Sequence, residues 1–150
     1  QLEYGSLIWN PVYQVHIKHI ESVQRSFLKF LSFCEDGVYP PRGFNHIQLL
    51  NKFYINSLQT RRIISGVRFI IHLINYKIDC MWLLGKLNFL IPKYNSRQHN
   101  AFYCPPCYSN TLVKSPVVSS CKACNRILHY CDLTDNISII TKKIVTIYGT

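Results

Sequence analysis

The chain has 150 residues, of which 48% are hydrophobic and 13% aromatic, enough to bury a core and too much for a largely disordered chain. Lysine and arginine number 17 against 7 acidic residues, a net charge of +10, so we expect polyanionic partners, nucleic acid first. The sequence has no recognisable signal peptide and no apolar run long enough for a bilayer. We therefore expect an intracellular protein, nuclear or cytoplasmic, with no membrane or small-molecule partner.

The first predicted element is a long amphipathic helix. Asn10 is a suitable N-cap and Pro11 fits the first helical position, so the helix should begin there and run to about Cys34. Apolar side chains at steps of three and four should form its packed face: Tyr13, Ile17, Ile20, Val23, Phe27, Phe30 and Cys34. Lys18, Arg25 and Lys29 take other positions, which predicts a separate basic face.

A second long helix should form the centre of the fold. Ser57 can cap a helix from Leu58 to about Tyr76, and a wide apolar surface predicts that it is largely buried. The surface consists of Ile63, Ile64, Val67, Ile70, Ile71 and Ile74. Asp79 can cap a shorter helix from 80 to 87, whose Trp82 we expect, like Trp9, to be a core residue.

Two further helices are expected near the C-terminus. Ser115 and Pro116 are a cap and a first-turn proline, followed by apolar residues at helical spacing that include Cys121 and Cys124. The tail from 137 to 148 is rich in β-branched residues but keeps helical spacing, so we assign it as helix. The sequence thus predicts a mainly α fold: a helical bundle over 1–92, a linker or extended segment over 93–114, and a small helical portion over 115–150.

Four blocks of this sequence resemble one known family. The first block is Leu2-Glu3-Tyr4-Gly5-Ser6 with Trp9, Pro11, Ile20-Glu21, Val23-Gln24-Arg25 and Phe27. The second is Ser57-Leu58 with Arg61-Arg62, and the third is Ile78-Asp79 with Leu83-Leu84, Leu87, Phe89 and Ile91-Pro92. The fourth is Arg97, Phe102, Pro105, Ser115-Pro116 and Asn125. In this order and spacing they resemble the segment after the palm of reverse transcriptases from jockey-like non-LTR retrotransposons (LINE elements). Two positions depart from the pattern: the family usually has threonine near Ser109 and arginine near Ser119.

The resemblance implies a thumb-like bundle over 1–92 and a fragment of an RNA-directed DNA polymerase. Such a fragment would clamp an RNA template and a DNA primer, while a palm with Mg²⁺ and the catalytic aspartates would precede it in the parent protein. The chain has no initiator Met, since its single Met is Met81, which fits a piece of a longer protein. No Asp-Asp pair is present among the seven acidic residues, so we assign no catalytic residues and expect no polymerase activity from this chain alone.

A thumb grips nucleic acid through the phosphate backbone, which requires cations on a rigid helix face. The first helix supplies Lys18, Arg25 and Lys29, and the central helix supplies Arg61, Arg62 and Arg68. Arg61 and Arg62 are the stronger candidates, because adjacent arginines on an apolar helix are unfavourable unless they face water, acid or phosphate. These six residues are the predicted nucleic-acid-binding set.

A cysteine pattern supports a different hypothesis. Cys104, Cys107, Cys121 and Cys124 form C-x2-C, thirteen residues and C-x2-C, a spacing typical of a four-thiolate zinc site. Pro106 argues against it because it lacks an N–H for a thiolate, and Cys121 and Cys124 also fit a buried helix face. The alternative is thus a small zinc-binding module for nucleic acid or protein, and a third possibility is a decayed remnant of the element.

Overall fold

The computed structural model describes residues 3–11, 13–91, 100–106, 109, 112 and 115–148. Within these ranges the chain is mainly helical, which confirms the predicted fold class. The helices are α1 (Ser6–Trp9), α2 (Gln14–Asp36), α3 (His46–Lys52), α4 (Leu58–Ile74), α5 (Met81–Leu84), α6 (Pro116–Ile127) and α7 (Ile137–Tyr148).

The predicted central helix is α4. Its start is fixed by Ser57, whose Oγ accepts a hydrogen bond from the Thr60 N–H at 3.2 Å, as the cap prediction required. Helix α4 packs against α1, α2, α6 and α7. Val67, Ile70 and Leu73 are consequently almost completely buried, so both the position of this helix and its burial are confirmed.

Helices α6 and α7 complete the core. Pro116 occupies the first turn of α6, as predicted, and Cys121, Cys124 and Ile127 are buried against α4. Ile140 and Ile144 of α7 join the same cluster, because a spacing of four places them on one face. The cysteines of α6 therefore act as small apolar core residues.

Phe102 connects this core to the predicted linker. Its side chain is 1% exposed, and it forms an isolated antiparallel bridge with Phe89. The Asn125 side chain accepts from the Phe102 N–H at 3.0 Å and donates to the Phe102 carbonyl at 2.8 Å. Much of the linker, including 93–99, lies outside the described residues, so the domain division stays a prediction, but residues from both sides of the linker share one buried cluster.

The predicted start of the first long helix is wrong. The chain forms the short helix α1, and Asn10 then follows it with an extended backbone at φ −52° and ψ 122°. Helix α2 begins at Gln14 without a side-chain cap. Asn10 does not act as an N-cap, because the residues before it form α1, which packs against α4. At the other end, Gly37 stops α2 in a left-handed conformation at φ 70°.

The predicted packed face of α2 is also wrong. Val23, Phe27 and Phe30 are 52%, 55% and 56% exposed, whereas Gln24 and Leu28 are buried. Among the described residues, helix α2 packs chiefly against α3 and α4, and the Gln24 side chain donates to the Asn56 carbonyl at 3.0 Å. The neighbours of the helix therefore cover the face beside its apolar stripe, and the stripe itself faces outward.

The two tryptophans are not core residues. Trp82 is 73% exposed, with the Lys86 ammonium 5.3 Å from its ring, and Trp9 is 43% exposed. Asp79 does not cap α5, which starts after Cys80 without a side-chain cap. A helix of only four residues offers too little surface to bury an indole.

Candidate nucleic-acid interface

The clearest basic surface lies on α2. Lys18 and Arg25 are both exposed and are separated by seven residues, which corresponds to about 10 Å along the helix axis. Both line a groove of about 600 Å³ between α2, α3 and the start of α4. Within the described ranges, no carboxylate oxygen lies within 4.0 Å of either cation.

Glu21 lies between the two cations on the groove wall but points inward. Its Oε1 accepts from the backbone N–H of Gln59 at 2.9 Å, and its side chain is 16% exposed. Its Oε2 stands 4.0 Å from Nε2 of His46, too far for a direct hydrogen bond. Glu21 thus connects α2 to the first turn of α4 through a hydrogen bond. Lys18 and Arg25 are the exposed charged side chains of α2 at the edge of the groove.

His46 is a partly buried neighbour of this basic surface. Burial lowers the pKa of His46, the positive charge of Arg25 lowers it further, and Glu21 opposes both. No sequence pattern pairs His46 with Glu21, because their proximity arises from the packing of α3 on α2. The imidazole is therefore favoured in its neutral form in the folded protein.

Lys29 is less available than the other two cations of α2. Its ammonium donates to the Pro41 carbonyl at 3.4 Å and lies 6.0 Å from the centre of the Tyr39 ring. These contacts hold it against the loop that follows α2. A phosphate would have to compete with them.

The two adjacent arginines of α4 have different surroundings. Arg61 forms an ion pair with Glu3 at 2.6 Å between Nη2 and Oε2. Arg62 is only 6% exposed, and its guanidinium carbon lies 5.4 Å from the centre of the Trp9 ring. Arg68, the third predicted cation of this helix, is exposed. The exposed members of the predicted set are therefore Lys18, Arg25 and Arg68.

The proposed zinc ligands are only partly described. Cys107 lies outside the described residues, and no group of three or more His, Cys, Asp or Glu within them is arranged to hold a metal ion. Burial, and secondarily the neighbouring Cys104, raises the pKa of Cys121 to about 11; burial also raises the pKa of Cys124. Protonated thiols bind zinc only after losing a proton, so zinc stays a prediction.

Comparisons of the chain with protein-family models, with curated proteins and with solved structures give no match.

Among the described residues, none of the helices combines the length and the apolar character needed to cross a membrane.

Proposed function

We propose that this chain is the thumb and post-thumb part of a jockey-like non-LTR retrotransposon reverse transcriptase, and that it clamps an RNA template and a DNA primer. The four sequence blocks supply the family, and the mainly helical fold is compatible with it. The net charge of +10 favours a polyanionic partner. The proposed setting is intracellular, in the nucleus or the cytoplasm.

The exposed pair Lys18 and Arg25 carries this proposal. A clamp needs cations that remain unpaired until phosphate arrives, because an existing ion pair would have to be broken first. Both side chains meet that condition within the described residues. Two contacts fix the position of helix α2, which carries both cations: Leu28 is buried, and the Gln24 side chain donates a hydrogen bond to the Asn56 carbonyl.

The role proposed for this surface is positioning rather than chemistry. Contacts to phosphates hold a duplex in register without reading its sequence, which suits an enzyme that copies any template. Of the acidic residues, Glu3, Glu35 and Asp36 form ion pairs with basic side chains. In the proposal, nucleotide transfer and its Mg²⁺ ions belong to a palm elsewhere in the parent protein, and this chain is not an enzyme by itself.

A gel-shift titration of the full chain with an RNA–DNA hybrid tests the proposal. The Lys18→Gln/Arg25→Gln double variant should bind roughly tenfold more weakly, because it loses two charge-assisted phosphate contacts. Arg126→Gln is the matched control, since it removes an exposed cation from the end of α6. The proposal fails if the unaltered chain does not bind the hybrid, or if the double variant binds as tightly as the control.

The zinc-module alternative makes a different prediction. Metal analysis of the purified chain would find one zinc ion per chain, and chelation would unfold the C-terminal portion. The clamp proposal predicts that chelation leaves hybrid binding unchanged.

A further inference from the structure

A small polar pocket lies where α1, α4 and α6 meet, and the proposed function does not use it. Its volume is about 90 Å³. The polar residues that line it are Ser6, Asn10, Arg62, Ser119 and Ser120. One cation and several hydroxyl groups are therefore gathered around a space of limited size.

Arg62 is the unusual member of this pocket. It is 94% buried, and neither its Nε nor its Nη2 has a hydrogen-bond partner among the described residues. These two nitrogens form one edge of the guanidinium, the edge that can donate two parallel hydrogen bonds to an oxyanion. A buried charged donor without a partner is costly, so this edge favours an acceptor that the described residues do not place within hydrogen-bond distance.

The nearby carboxylates do not supply that acceptor. Glu3 and Glu21 are close enough to favour the charged form of Arg62, although burial outweighs them and lowers its pKa. Neither carboxylate lies within 4.0 Å of the Arg62 nitrogens: Glu3 pairs with Arg61 through Oε2, and Glu21 accepts from the Gln59 N–H through Oε1. Their other oxygens, Glu3 Oε1 and Glu21 Oε2, have no hydrogen-bond partner among the described residues. Arginine remains charged at neutral pH even so.

Helix α6 adds a second contribution to the pocket. It has twelve residues and begins at Pro116, and Ser115 makes no side-chain cap bond. The positive end of the helix dipole therefore lies beside the pocket, where it favours negative charge. Ser119 and Ser120 line the pocket within the first two turns of the helix, and the Ser119 hydroxyl donates to the Pro116 carbonyl at 3.1 Å.

Gly66 allows the two helices to approach this closely. A Cβ atom built at Gly66 would stand 2.6 Å from Oγ of Ser120, well inside van der Waals contact. The absence of a side chain at Gly66 thus sets the position of the Ser120 hydroxyl relative to Arg62, one helical turn earlier on α4.

We propose that this pocket binds a phosphate group beside Ser119, held by the Nε and Nη2 edge of Arg62 and by the hydroxyl of Ser120. The volume of about 90 Å³ has room for one tetrahedral oxyanion. The phosphate comes either from solution or from the end of a nucleic-acid strand. The proposal does not depend on Lys18 and Arg25.

Thermal unfolding of the full chain in inorganic phosphate tests the site, with sodium chloride at equal ionic strength as the reference. Phosphate at about a hundredfold excess over its Kd should raise the unfolding midpoint by about 8 °C. Arg62→Gln should lose this response, and Arg126→Gln should keep it. An equal midpoint in phosphate and chloride overturns the proposal.

Ser119→Asp separates binding from folding, since Arg62→Gln risks unfolding the chain. Aspartate near the start of α6 favours the helix but repels phosphate, so this variant should be at least as stable and should show no phosphate response. A response equal to that of the unaltered chain overturns the proposal.

Oligonucleotide binding identifies the source of the phosphate. If a 5′-phosphorylated oligonucleotide binds more tightly than the same oligonucleotide with a 5′-hydroxyl, and Ser119→Asp abolishes the difference, the source is a strand end. If the two oligonucleotides bind equally and the response to inorganic phosphate is retained, the source is free phosphate.

Discussion

Helices α2 and α4 have similar sequence patterns but different surroundings. Each shows apolar residues at helical spacing, yet α4 buries Val67, Ile70 and Leu73 while α2 exposes Val23 and Phe27. The difference arises because α4 is enclosed by four other helices, whereas α2 packs on one side against α3 and α4. Periodicity therefore predicts that a helix forms, and the number and position of its neighbours decide which face is buried.

Helix α2 consequently presents two different surfaces. At 100° per residue, the stripe containing Val23, Phe27 and Phe30 and the basic face containing Lys18 and Arg25 lie about 150° apart around the helix axis. The buried residues Gln24 and Leu28 lie between them. The basic face is thus positioned by the buried residues Gln24 and Leu28. The apolar stripe takes no part in the core formed by the described residues.

The largest predicted effect contrasts one residue from each helix. Ile70→Ala should lower the free energy of unfolding by about 2–5 kcal/mol, because it leaves a cavity in a fully buried site. Phe27→Ala removes a larger side chain, but it should lower the free energy of unfolding by only about 1 kcal/mol, because Phe27 is 55% exposed and loses less buried area. Urea unfolding measures both. A large loss for Phe27→Ala would mean that the stripe packs against something in the isolated chain.

The next largest effect concerns the two hydrogen bonds between the Asn125 side chain of α6 and the backbone of Phe102. Asn125→Ala should cost about 3 kcal/mol, because the buried N–H and carbonyl of Phe102 both lose their partner. Asn125→Asp keeps an acceptor for the N–H and removes the donor, so chemical denaturation should place it between Asn125→Ala and the unaltered chain. Equal stability of all three proteins would contradict the observed pair of hydrogen bonds.

Gly66→Ala tests the close approach of α4 and α6. The added methyl would meet Oγ of Ser120 at 2.6 Å, and we expect a loss of about 1–3 kcal/mol from the resulting overpacking. The second substitution Ser120→Ala removes that oxygen and leaves the Cβ at 3.4 Å, so the double variant should recover most of the loss. Additive losses in a double-mutant cycle would show that the two helices do not meet at these residues.

The smallest effect is a pH dependence at the α2 and α3 contact. Because the pKa of His46 is lowered in the folded state by burial and by Arg25, the unfolded chain binds more protons as the pH falls through about 6.5. The free energy of unfolding should therefore decrease below that pH. His46→Gln should lessen the decrease measured between about pH 8 and pH 5, while the exposed His129→Gln should not. Identical pH profiles for both variants would contradict this assignment.

Local signals in the sequence account for the elements that were predicted well. Ser57 and Pro116 mark the starts of α4 and α6, and the spacing of Ile140 and Ile144 is sufficient for α7. Each of these signals acts within one or two helical turns, and the structure confirms all of them.

The remaining features depend on contacts between distant parts of the chain. Nothing near Arg62 in the sequence indicates that the Trp9 ring lies against its guanidinium. Nothing near Asn125 indicates that its side chain bonds to the backbone of Phe102. Arg61 and Arg62, which have identical side chains, show what sequence patterns alone do not predict. One pairs with Glu3 near the surface and the other is buried, a difference set by which side of α4 faces α1 and α6.

The salt dependence of hybrid binding tests the proposed clamp most directly. Affinity for an RNA–DNA hybrid should fall as salt rises, with a log–log slope that decreases in magnitude by about 0.9 for every phosphate contact removed. The Lys18→Gln/Arg25→Gln variant should therefore have a slope smaller by about 1.8 than the unaltered chain, whereas Arg126→Gln should change it less. Equal slopes for the unaltered chain and the double variant would contradict the account.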